Sequence, residues 1–146
     1  MIRHMIAGVA LVGVLLPAVA QKVTLITATE AALPPAAGTL ATRGISRGPG
    51  VKLLSPATDT PVKGPVDLKF SFEGRGGEKI DPASVKVTYM KTPMVDLTPR
   101  VQAAISATGI DLKQADMPPG EHTLRITVKD TAGRETNSTT TLVVAK

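Results

Sequence analysis

The sequence predicts an all-β fold, an antiparallel sandwich of short strands, on three observations. Apolar and polar residues alternate strictly over Val66–Glu73, Val85–Tyr89 and Thr123–Lys129, the period that leaves one face of a strand buried and the other wet. Proline, glycine and aspartate clusters separate these runs at the close spacing of hairpins and corners. Finally, the composition changes near residue 50, from an Ala/Pro/Gly-rich stretch to strand-forming runs.

The chain opens with Arg3 and His4, an apolar run from Met5 to Leu16, Pro17, and then Ala18-Val19-Ala20. A positive start, a short apolar core and small residues before a cut site are the marks of a cleavable secretory signal. The run falls short of the roughly 20 apolar residues that a spanning helix needs. Residues 1–20 are therefore expected to be removed, with Gln21 as the new N-terminus, no membrane span thereafter, and a periplasmic or secreted location. Residues 21–50 read as a flexible N-terminal arm: Lys22–Thr29 has strand propensity, and Pro34-Pro35, Gly38, Gly44 and Gly48-Pro49-Gly50 make a linker after it. This arm is expected to stand outside the core, either docked as an added strand or free to engage a partner.

A single domain is expected over 51–146. Val51–Leu54 forms the first strand and Ser55-Pro56 closes it. Val66, Leu68, Phe70 and Phe72 face inward on the second, and Gly74, Gly76 and Gly77 form a loop. Asp81-Pro82 turns into a strand with Val85, Val87 and Tyr89 inside and Lys86 and Thr88 outside. Thr98-Pro99 carries a helix-start signal over 98–105, with an irregular edge strand as the alternative. Ile110–Leu112 is a brief strand. Pro118-Pro119-Gly120 then turns into a strand that buries Leu124, Ile126 and Val128 and exposes Thr123, Arg125, Thr127 and Lys129. The Asp130–Arg134 turn leads to a return strand over Thr136–Val144.

Pro118-Pro119-Gly120-Glu121-His122, the alternation that follows, and Asp130 with Gly133-Arg134 resemble the last hairpin of bacterial immunoglobulin-like domains. Ser55-Pro56 and Val62-Lys63-Gly64-Pro65-Val66 are similar to their opening. The resemblance implies an immunoglobulin-like (or fibronectin III-like) β-sandwich over 51–146. It implies no catalytic residues, because such domains serve as spacers, adhesins and binding modules.

Composition narrows the function classes. There is no cysteine, so the fold holds by burial alone. Lysines and arginines number 17 against 12 acids, and loss of Arg3 with the leader trims that excess. A mild, dispersed positive charge suits weak attraction to anionic surfaces and does not point to nucleic acid. His122 is the one histidine beyond the leader, at a strand start in phase with Leu124, which favours packing over general-base catalysis. The acids are dispersed and no spacing forces a carboxylate pair together. No enzyme activity and no cofactor are expected.

Met90, Met94, Met117 and His122 are the available soft ligands for copper, and they define the alternative reading of a small-ligand or copper carrier. They show no Met-x-Met cluster, and methionine commonly fills core gaps. Asp130 near Gly133 falls short of the six or more oxygens that calcium takes. Phe70, Phe72 and Tyr89 all lie in phase with the core, leaving no aromatic platform for a sugar ring. What remains is an outer sheet face bearing Lys86, Arg125 and Lys129. It reads first as a solvated face and, more sharply, as a shallow basic patch for an envelope protein or an anionic polymer. The function that follows is a non-enzymatic interaction module.

Overall fold

The computed structural model describes residues 22–37, 47–57 and 60–146. The leader expected over 1–20, and the cut before Gln21, lie outside the described residues.

The chain forms nine strands and two short helices within those residues: β1 (Val23–Thr24), α1 (Ala28–Ala31), β2 (Gly50–Ser55), β3 (Val66–Glu73), β4 (Ile80–Tyr89), β5 (Val95–Asp96), α2 (Thr98–Val101), β6 (Ile105–Ser106), β7 (Gly109–Asp116), β8 (Gly120–Asp130) and β9 (Glu135–Val144). They make two sheets. One runs β1-β7-β3-β2 with β6 added beside β7; the other runs β5-β4-β8-β9. All pairings between named strands are antiparallel except β1 with β7.

The alternating runs bury the faces that their period predicts. Val66, Leu68, Phe70 and Phe72 meet Val85, Val87, Tyr89, Leu124, Ile126 and Val128 in one apolar cluster between the sheets. Strand β8 is central, paired with β4 on one side and with all ten residues of β9 on the other. Glycine is required at Gly109, where φ is +154° and a Cβ would lie 1.9 Å from the Phe70 carbonyl oxygen.

Two strands are longer than their alternation suggests, because bulges break the period. On β7, Leu112 and Ala115 lie three apart yet both face the core, since the register shifts against β3 between Val66 and Leu68. Gln114 takes φ +55° at that point and donates its N–H to the Asp67 carboxylate at 3.0 Å. On β4, pairing with β8 jumps from Asp81 to Lys86. Ser84 holds the extruded segment: its hydroxyl donates to the Asp81 carbonyl and accepts the Lys129 N–H.

The helix-start signal marks a real helix, though with different caps. Residues Thr98–Val101 are helical and a 3₁₀ turn follows over Gln102–Ala104. Leu97 caps it, and the Thr98 hydroxyl instead accepts the Val87 N–H at 3.0 Å, fixing α2 to β4.

Of the two alternatives for the arm, docking as an added strand holds at Val23–Thr24; its reading as flexible and outside the core is corrected for 22–37. Val23 and Thr24 pair with Ala115 and Asp116, Leu25 is fully buried and Ile26 is 2% exposed. The Asp116 carbonyl accepts both of their N–H groups. Thr27 and Glu30 then form a reciprocal capping box around α1. Arg100 grips this turn with two bonds to the Glu30 carboxylate, at 2.6 and 2.7 Å, and a third to the Leu25 carbonyl at 2.8 Å. Beyond α1, Lys91 donates to the Ala31 carbonyl, Thr92 to that of Pro34, and Ala36 to that of Met90. The segment thus runs from the edge of β7 in one sheet to the end of β4 in the other. Apolar residues placed beside a proline-rich stretch look like a free arm locally; their burial is decided by contacts 70 or more residues away.

Two outcomes follow. Ile126→Ala leaves a cavity at the centre of β8 and is expected to cost about 2–5 kcal/mol in denaturant unfolding, against less than about 0.5 kcal/mol for Arg125→Ala at the outer face. The Arg100 bonds hold the Glu30 carboxyl at about 2, below its ordinary 4.5. A lowered folded-state pKa stabilises above the unfolded value and loses that contribution as pH falls from about 4.5 towards 2. The melting temperature of the wild type is therefore expected to drop through this window by an amount worth about 1–2 kcal/mol, screening by solvent included. Glu30→Gln is expected to start lower at neutral pH and to lack that component.

Candidate interaction surface

The outer face of the β5-β4-β8-β9 sheet carries every cation singled out in the sequence. Lys86 stands opposite Thr127, Arg125 lies between Thr88 and Thr139, and Lys129 between Asp81 and Glu135. Strand pairing therefore brings Lys86, Arg125 and Lys129 onto one surface.

The same pairing brings carboxylates with them. Asp96 sits opposite Thr88, Asp81 and Glu135 flank Lys129, and Glu121 lies at the far end opposite Val143. Lys129 Nζ lies 3.6 Å from the Glu135 carboxylate. Asp96 is held below its ordinary value by hydrogen bonds from Thr98, with attraction from Lys86 added. The spaces between charges are filled by hydroxyls and an amide: Thr123 bonds Thr141 at 3.1 Å, and Thr127 donates to Asn137 at 2.6 Å. The face is two-signed, not basic. The cations share a period-2 phase that the sequence shows; the carboxylates are spread over β4, β5, β8 and β9, and the register brings them among the cations.

One corner of this face dips into a shallow depression of about 490 Å³. Met90, Pro93 and Met94 line it together with Ala36 and Ala37 of the N-terminal segment, and Lys91 and Arg125 stand at its rim. Met94 is 61% exposed. This feature was not legible in the sequence, because Ala36 and Ala37, which complete its wall, belong to the N-terminal segment.

The four soft ligands do not come together as a set. Met117 lies in the core, Met90 and Met94 share the depression, and His122 is 1% exposed. His122 is engaged at both ring nitrogens. Its Nε2 lies 2.6 Å from the Pro118 carbonyl oxygen, which can only accept, so Nε2 carries the proton. Nδ1 is then the acceptor for the Tyr89 hydroxyl at 2.9 Å. Burial lowers the His122 pKa, only partly offset by the Pro118 bond, so the ring is neutral. A neutral histidine with both nitrogens occupied ties the Pro118 corner to β4.

Asp130 is likewise committed. Its Oδ1 accepts the N–H groups of Ala132 and Arg134, and its Oδ2 accepts Arg134 Nε at 2.8 Å. Burial raises its pKa, but these bonds together outweigh that and hold the carboxyl below its ordinary value. The turn uses aspartate for its backbone geometry. Among the described residues no group of three His, Cys, Asp or Glu side chains could hold a metal ion, and no helix is long and apolar enough to cross a membrane.

The His122 geometry sets a pH dependence of known sign. A histidine pKa depressed by folding contributes stability that is complete above the unfolded value near 6.5 and is lost as pH falls through the folded value. The wild type is expected to lose stability between pH 7 and 5, measured by denaturant midpoint. In His122→Gln that part of the slope is expected to vanish, with a lower plateau at pH 7 because the Tyr89 hydroxyl loses a buried partner.

No family model, no curated protein and no solved structure matches the chain.

Proposed function

We propose that the chain is an exported, non-enzymatic, immunoglobulin-like interaction module, and that it contacts another protein of the envelope through the outer face of the β5-β4-β8-β9 sheet. The observation that carries the reading is the interleaving of Lys86, Arg125 and Lys129 with Asp81, Asp96, Glu121 and Glu135 on that face. An anionic polymer is attracted by a surface of one sign. A face of alternating sign gives it as much repulsion as attraction, whereas a partner protein can present a matching pattern. Two-signed faces gain specificity more than raw affinity.

The immunoglobulin-like assignment draws support from strand order. The β2-β3-β7 run against β5-β4-β8-β9 corresponds to strands A-B-E facing C′-C-F-G in such sandwiches. Export draws support from the leader pattern over 1–20. The copper-carrier alternative gains nothing from the geometry, since the His122 nitrogens are both in use.

The test is capture from an envelope fraction by the immobilised protein, compared with the triple variant Lys86→Glu/Arg125→Glu/Lys129→Glu. Reversing three charges is expected to reduce recovery of the captured partner at least tenfold. An anionic polysaccharide tested in parallel is expected to bind weakly and to be released well before molar salt, where the screening length shrinks to about 3 Å. Partner recovery unchanged by the triple variant, or polysaccharide binding that survives molar salt, would contradict the proposal.

A further inference from the structure

The sheet edges of this fold are unequal. In the first sheet, the outermost strand beside β7 is β1, only two residues long. At the other end β2 carries Lys52, a register shift between Leu53 and Ser55, and then Pro56. In the second sheet, β5 is again only two residues long. Short edge strands, lysine, proline and bulges are the usual protections against edge-to-edge pairing.

Strand β9 has none of them along its middle. It pairs with β8 through ten consecutive residues without a bulge. From Glu135 to Val144 it contains no proline and no lysine, and five of its ten residues are threonine or valine over 139–144 alone. Its ends are covered. Val62 donates to the Val143 carbonyl and accepts from Ala145, and Thr136 donates its hydroxyl to the Pro49 carbonyl. Because the main-chain groups of Val143 and Ala145 point away from β8, those of Asn137, Thr139 and Thr141 do so too, by the period of two. Among the described residues no hydrogen bond is made by the outward main-chain N–H or C=O of these three.

This open window has its own symmetry. It runs from 137 to 141, so Thr139 is its centre. If a second copy approaches antiparallel about a two-fold axis at Thr139, Thr139 pairs with its counterpart, and Asn137 pairs with Thr141 on each side. Each pair exchanges two main-chain bonds, about six in all. The facing side chains are Thr with Thr and Asn with Thr, with no like charges opposed. A third-party strand would have to supply that match; a second copy brings it by construction.

We propose that the protein self-associates weakly into a two-fold dimer by antiparallel pairing of β9 with β9, centred on Thr139. The two β5-β4-β8-β9 sheets then become one continuous eight-stranded sheet, and the two copies of the charged outer face lie on one surface. The inference goes beyond the function proposed above and does not rest on it.

Sedimentation velocity of the purified protein over a range from about 5 µM to 1 mM tests this. The expected result is a rise of the weight-average mass towards twice the monomer value across that range, since an edge-only contact buries little surface. Thr139→Pro removes an outward donor at an edge where proline is sterically tolerated, and Thr139→Lys brings two like charges to the two-fold axis. Both are expected to stay monomeric at 1 mM with an unchanged circular dichroism spectrum. A wild type that remains monomeric at 1 mM would overturn the proposal. So would a dimer that persists in Thr139→Lys, the variant that keeps the main-chain N–H and so tests the register if Thr139→Pro disturbs the fold.

Discussion

The Arg100 guanidinium is the side-chain contact that fixes the N-terminal segment to the sandwich. It sits on a single-turn helix after β5, and its planar fork engages the Glu30 carboxylate twice and the Leu25 carbonyl once. Bidentate charge-assisted bonds of this kind are the strong class. This one is largely shielded from solvent, with Arg100 32% and Glu30 18% exposed. It fixes the capping turn of α1 at the point where Leu25 and Ile26 enter the core. The other ties on this segment are the β1–β7 pairing, two main-chain bonds to Asp116, the bonds of Lys91, Thr92 and Ala36, and packing. Residues 22–37 therefore pack onto the sandwich, and Ala36 and Ala37 supply part of the wall of the depression around Met90 and Met94.

Buried polar groups tell a consistent story about what the interior is for. Among the described residues His122 and Asp130 are buried polar side chains, in addition to the Tyr89 hydroxyl, and no described buried side-chain nitrogen or oxygen lacks a partner. Each holds a corner to a strand: His122 joins the Pro118 turn to Tyr89, and Asp130 closes the β8–β9 hairpin on Arg134. Their hydrogen-bonding capacity is spent on structure. The charged groups that strand register gathers lie on the outer sheet face, on which the proposed interaction rests.

The sandwich itself was legible because burial in a two-sheet protein imposes a period of two on each strand. Phe70, Val87, Leu124 and Ile126 could be placed inside from that period alone, and the outward phase of Lys86, Arg125 and Lys129 followed. Three things resisted such reading. The bulges at Gln114 and at Pro82–Ser84 break the period, so β7 and β4 looked shorter than they are. Thr27-Ala28-Thr29-Glu30 has the spacing of a capping box, a signal that outweighs β-branched propensity over so short a stretch, yet its strand-like composition drew the opposite reading. Most of all, the partners of the arm lie far along the chain, at Arg100 and Asp116, and neither pattern nor composition reports such pairings.

The most direct measurement of whether the arm is part of the domain is hydrogen exchange at the amides of Leu25 and Ile26, in the wild type and in Arg100→Ala. In dilute wild-type protein, protection of these amides comparable to that of β8 is the result the account predicts, with a marked loss in Arg100→Ala while β8 stays protected. Exchange at Leu25 and Ile26 as fast as in an unstructured chain, or protection that is indifferent to Arg100, would contradict it.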